Sequence, residues 1–288
     1  MTTLYHYCPT ASFHSIVQTR TIWLSSLSQS NDYMEGRLVD LAITRLSEAD
    51  KLDASVVTQI QASVELIREI IDGLGFCLSE KSDLLSQWRG YANDATGIAI
   101  GFSKDYLQLL KDSLDKNKSG FGVEKVEYDL QAHDEHVKPT YLKVKELIEL
   151  GAFQKRTSLL ANLLRERTAE EIKQENEHTN SVNSKAHLEI LSLFSKLFLL
   201  KSSAFIEEHE WRLVSYLLKD GEDSCSYRSI NNQVVPYRAF ELLKLVHNPI
   251  DEVILGPKHQ TPVKVVHNFL KQNGFEEVKV IKSKATYR

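Results

Sequence analysis

Glu207-Glu208-His209-Glu210-Trp211-Arg212-Leu213-Val214 alternates charge with bulk. Successive side chains of an extended chain point to opposite faces. Glu208, Glu210 and Arg212 therefore share one face of a strand, and Trp211 and Leu213 the other. Two carboxylates side by side repel unless a cation or a substrate offsets them. Arg212 can be that cation in a purely structural ion pair, or it can steady a carboxylate that faces a cleft. Anchored by Trp211, Leu213 and Val214, such a carboxylate is held rigidly, as catalysis demands.

Outward from this strand the chain reads as a mixed α+β domain. Short strands are expected at Leu4–Cys8, Ile22–Leu24, Gly75–Ser79, Gly97–Phe102, Val123–Tyr128, Glu252–Leu255 and Val278–Lys282. Helical periodicity runs from Ala11 to about Thr19, with Thr10 as its cap, and from Glu35 to about Ile71, with a break near Asp50 to Asp53. Ser103 suits a helix cap. Thr261, Pro262 and Gly274 mark the start and stop of the last helix. The expected organisation is one domain formed by residues 1–138 and 204–288, carrying a helical insertion at 139–203. Leu188, Leu191, Phe194 and Phe198 of that insertion can pack on the main domain or on another copy of the chain.

The chain has 288 residues, with 35 Lys and Arg against 39 Asp and Glu, so the formal charge is 35 − 39 = −4. Binding nucleic acid by bulk charge is disfavoured, although a local patch is not. Cys8, Cys77 and Cys225 are scattered and suggest neither a disulfide framework nor a zinc site. No basic patch followed by an apolar run opens the chain, and Ile190–Leu200 is too short to span a bilayer. A cytoplasmic protein without membrane partners is expected. Glycine-rich phosphate loops, His-Glu-x-x-His and Gly-x-Ser-x-Gly are absent from the sequence. His133-Asp134-Glu135-His136 offers two histidines on one helical face but no third ligand, so no metal is expected.

Three further segments can carry chemistry. In Tyr5-His6-Tyr7, alternation sends His6 to one face, where it can hold ribose hydroxyls or be a satisfied histidine at a sheet edge. Ser25, Ser26, Asn31, Asp32 and Glu35 follow the second strand, as in many sugar and phosphate sites, and equally as a strand-to-helix connection requires. Trp88 and Tyr91 share a helical face beside Arg89, a set that can stack a planar ring and meet a phosphate, or pack a core.

These pieces, with Phe76-Cys77-Leu78-Ser79-Glu80, Gly97–Phe102, Val253–Gly256 and Ser283–Tyr287, resemble a widespread bacterial family of unknown function. More loosely, a strand with His6, a strand ending in Ser25 and a late Glu-x-Glu are similar to the arrangement of ADP-ribosyltransferases. That resemblance implies a split, mostly antiparallel sheet with NAD as substrate in its cleft. It implies that Glu210 stabilises the oxocarbenium-like centre and Glu208 steers an acceptor in a protein or nucleic acid. His6, Tyr7, Ser25, Asn31, Trp88, Arg89, Tyr91 and Arg212 are then the NAD-binding set. A toxin or phage-defence effector is the corresponding role. Two other readings stay open: a module that binds a nucleotide or RNA end without catalysis, and a metal-dependent hydrolase built on Glu208, Glu210 and Asp32.

Overall fold

The β-rich run Ile71–Ser79 is the strand about which the others are arranged. A computed structural model describes residues 2–30, 32–114, 119–154, 168–219, 225–230 and 232–287. The strands are β1 (Thr3–Cys8), β2 (Thr21–Ser26), β3 (Ile71–Ser79), β4 (Ile98–Ser103), β5 (Gly122–Lys125), β6 (Glu210–Leu218), β7 (Ser226–Ile230), β8 (Gln233–Glu241), β9 (Ile250–Leu255) and β10 (Lys279–Lys282). The helices are α1 (Thr10–Thr19), α2 (Leu38–Ala49), α3 (Ala54–Ile70), α4 (Leu85–Tyr91), α5 (Lys104–Ser113), α6 (Leu130–Glu149), α7 (Ala169–Leu191), α8 (Phe194–Leu197) and α9 (Val263–Gln272). The fold is α+β, with a mostly antiparallel sheet ordered β10-β9-β4-β1-β3-β2-β8-β7 and β6 pairing with both β3 and β5. Only β9 and β10, of the pairs with a registered alignment, run parallel.

The chain divides into two compact units. The sheet unit takes residues 1–31, 72–126 and 204–288, and the helical unit takes 32–71 and 127–203. The main core of the sheet unit gathers Leu4, Ile22, Leu24, Leu74, Phe76, Ile100, Leu213 and Val253 from the strands with Val17, Leu107 and Leu270 from the helices. In the helical unit, Arg68 pairs with Asp40, Arg45 with Asp134, and the Tyr141 hydroxyl donates to Asp50. His133 is fully buried and its Nε2 meets the Glu127 carbonyl at 2.9 Å, so it serves the helix packing. Leu188 and Leu191 are exposed, whereas Phe198 is buried. Among the described residues no helix is long and apolar enough to cross a membrane.

Several local expectations hold for physical reasons visible in the side chains. Asp53 accepts from the Ser55 amide at the break between α2 and α3, and Ser103 accepts from the Tyr106 amide. Thr10 does not cap α1: the helix starts at Thr10 itself, after Pro9, and the Thr10 hydroxyl is engaged with His259. Pro139 lies inside α6 rather than at an element boundary, the helix having started nine residues earlier, at Leu130, behind the Asp129 cap. The hairpin of β7 and β8 was not expected at all.

Gly256 illustrates how closely the sheet unit is packed. A Cβ there would lie 2.4 Å from the Ala95 carbonyl oxygen and 2.9 Å from that of Gly97, whereas Gly90 in α4 has nothing within 4 Å. Gly256→Ala is expected to destabilise the protein by about 3 kcal/mol. Gly90→Ala should stabilise it by up to about 1 kcal/mol through helix propensity. Urea unfolding of the two variants beside the wild type checks both signs.

Candidate functional site

β3 sorts the candidate residues by face. Its even-numbered Leu74, Phe76 and Leu78 enter the main core. In the registers, Ser26 lies opposite Leu74 and Ser25 opposite Gly75, while Tyr5 lies opposite Ser79. Because side-chain direction has a period of two, Tyr5, Tyr7 and Ser25 belong to the face away from that core.

His6 falls on the core face. It lies opposite Ile100 of β4, its ring stacks on Phe76 at 3.9 Å, and Nδ1 meets the Cys77 carbonyl at 2.8 Å. That carbonyl sits between the point where β3 pairs with β1 and the point where it pairs with β2. Burial pushes the imidazole pKa down to about 4, and the Arg228 guanidinium adds a smaller push in the same direction. The neutral ring is held through Nδ1 beside the place where the two strands part from β3.

Glu210 and Arg212 fall on the opposite face, whereas Glu208, expected beside them on the strand, ends a 3-10 helix at Ser203–Glu208 and is cut off from β6 by His209 at φ 45°. Leu213 enters the main core and pairs with Val123, while its neighbour Arg212 pairs with Glu124 on the other side. Arg212 donates to both oxygens of Glu210, at 2.7 and 3.1 Å, and the two residues are only 2% and 4% exposed. Glu208 accepts from the Tyr91 hydroxyl at 2.9 Å, and its own carbonyl accepts from Ser79 Oγ at 2.6 Å. Glu210 and His6 thus project to opposite sides of the sheet. The geometry does not bring them into one cleft.

Around α4, the aromatic residues are packed. Trp88 is fully buried, meets Tyr7 edge-on at 4.8 Å, and donates its indole N–H to Asp83. The Tyr7 hydroxyl donates to the Lys81 carbonyl and accepts from the Leu84 amide. Arg89 is exposed with its guanidinium above the Tyr287 ring. Asn31 lies outside the described residues.

The expected residue with an open neighbourhood is Ser25. It lines a groove of about 480 Å³ together with Ser26, Gln29, Ser30, Arg228 and Gln233. Ser25 Oγ is buried without a hydrogen-bond partner, and so is Arg228 Nε. Ser26 Oγ donates to Asp72 at 2.6 Å. On the same side of β2, Trp23 stacks on Tyr237 at 4.4 Å, and the Arg228 guanidinium lies 5.8 Å from the Trp23 ring centre. Arg228, Gln233 and Val235 come from the β7–β8 hairpin. A sequence signal for it exists: an Asn-Asn dipeptide at 231–232 between two β-prone runs.

Other chemistry is less well supplied. Among the described residues no group of three His, Cys, Asp or Glu could hold a metal ion. Thr10 and His259 meet at 3.3 Å, but His259 Nδ1 accepts from the Thr261 amide. The proton of the neutral ring is therefore on Nε2, which donates to Thr10 and cannot act as its base.

Compared with known families, residues 87–213 match a family described as a protein of unknown function (DUF2971). The match covers the segments around Trp88 and Glu210. No curated protein and no solved structure matches the chain.

Two outcomes follow from this geometry. Arg212→Met leaves Glu210 buried without its cation and should cost about 3–5 kcal/mol, much of it recovered in a Glu210→Leu/Arg212→Met double variant; denaturant melts of the three proteins measure this. His6, with its folded pKa at about 4 against 6.5 unfolded, refuses a proton that the unfolded chain accepts. Its contribution to stability is complete above the unfolded value, declines as the pH falls from about 6.5 to about 4, and is constant below. An NMR titration of the His6 ring should have its midpoint near 4; a midpoint near 6.5 refutes the burial described.

Proposed function

We propose that this protein is a nucleotide-binding module of the sheet unit, with its ligand in the Ser25 groove, rather than an ADP-ribosyltransferase driven by Glu210. The supporting observation is the contrast between the two candidate clusters. Glu210 is tied by both oxygens to Arg212 in a buried pair, and a carboxylate so neutralised has little charge left to offer an oxocarbenium-like centre. The groove, by contrast, presents unsatisfied hydrogen-bonding capacity on a rigid strand.

Its lining suits a nucleotide. Ser25 supplies a hydroxyl, and Gln29, Asn232 and Gln233 supply carboxamides that can donate and accept. Ribose hydroxyls and phosphate oxygens require this mixture, while Ile230 and Val235 add apolar wall. A volume of about 480 Å³ lies within the range usual for small-molecule sites. NAD, ADP-ribose, AMP and a 5′-phosphorylated RNA end all fall in this class.

Calorimetry with NAD, ADP-ribose, AMP and a 5′-phosphorylated oligoribonucleotide, alongside chromatographic assay of NAD breakdown, tests the proposal. One or more of these ligands should bind at a single site and be recovered intact. NAD consumption abolished by Glu210→Gln would establish the transferase instead. Absence of binding across the panel would remove the module.

A further inference from the structure

Arg228 is a cation in an unusual position. It stands on β7 opposite Val235, itself buried, with Nε shielded from solvent and unpartnered. Among the described residues no carboxylate pairs with its guanidinium. The side chain is half-buried, and that partial burial lowers its pKa. A buried charge is costly unless it is paired and hydrogen-bonded. Arg212, in the same unit, meets that requirement with Glu210. Arg228 does not, and its guanidinium lies 5.8 Å from the centre of the Trp23 ring.

The rest of the groove points to what would complete it. Among the described residues, Arg228 is the sole ionisable group lining it. Ser25 Oγ, on the strand two places from Arg228 in the sheet order, is a second buried group without a partner. The ligand fragment that satisfies a guanidinium and a hydroxyl together, where no carboxylate is among the described lining residues, is an oxyanion with several acceptor atoms. A guanidinium presents planar paired donors, a geometry that matches phosphate.

We infer that Arg228 anchors a phosphate group of the ligand, with Ser25 as the second donor. The inference rests on the nucleotide-binding reading above and adds the residue and the chemical group that carry recognition. Binding removes the cost of the uncompensated cation, so affinity for the phosphate-bearing ligand is expected to exceed that for the corresponding nucleoside.

Calorimetry of the full chain with inorganic phosphate, AMP and adenosine tests this, using Arg228→Gln and Arg228→Lys, with far-UV circular dichroism and melting to show that each variant folds. Arg228→Gln should weaken phosphate and AMP by about tenfold or more and change adenosine by less than about twofold. Arg228→Lys, which keeps the charge but loses the planar donors, should fall between. Melting of Arg228→Gln without ligand should be unchanged or raised, since the shielded, unpartnered Nε is removed and no ion pair is lost. AMP affinity retained in Arg228→Gln overturns the anchor while leaving the module in place. Phosphate binding that depends on Arg228, with no nucleotide bound, keeps the anchor and overturns the nucleotide. If neither phosphate nor any nucleotide binds the wild type, both readings fall.

Discussion

The period of two along β3 is the constraint on which the rest of the sheet unit depends. With Leu74, Phe76 and Leu78 committed to the main core, every strand in register with β3 has its faces assigned. His6 is drawn to the core side by its pairing with Ile100 and its stack on Phe76. Ser25, opposite Gly75, is sent to the other side. A shift of one residue in any of these registers would exchange the two groups and put Leu24 or Leu4 in water. The position of the candidate site is thus a consequence of core formation.

Three arginines show how the same charge serves different ends. Arg212 is wholly enclosed and neutralised by Glu210, two residues away on its own strand. Such a pair fastens β6 in place, and each partner is needed because the other is there. Arg238, on β8, donates to Ser215 and to the Tyr216 carbonyl, tying the hairpin to β6. Arg228 sits at the groove with a shielded, unpartnered Nε. The first two hold structure together, and the third is the proposed anchor for a ligand.

Much of the fold was legible because its signals are local. Apolar alternation located β1, β2, β3 and β6, and the polar break at Asp50–Asp53 separated α2 from α3 through the Asp53 cap. Threonine favours a cap position, but the Thr10 hydroxyl is taken by His259, distant in sequence. The site was less legible. Ser25 was identified from its place after an apolar strand, whereas Glu210 attracted attention through a motif whose charge is in fact met by its neighbour. Nothing near Arg228 in sequence reveals that its Nε is shielded. Only the pairing of β7 with β8, and of β8 with β2, brings it to Ser25. Tyr91 and Glu208, over a hundred residues apart, likewise meet only through tertiary structure.

A crystal structure of the chain grown with AMP or NAD would examine the central claim most directly. The account predicts phosphate density in the Ser25 groove with an oxygen about 3 Å from the Arg228 guanidinium and the Glu210–Arg212 pair intact. A nucleotide lodged instead against Glu210, with Arg212 displaced from it, would contradict the account.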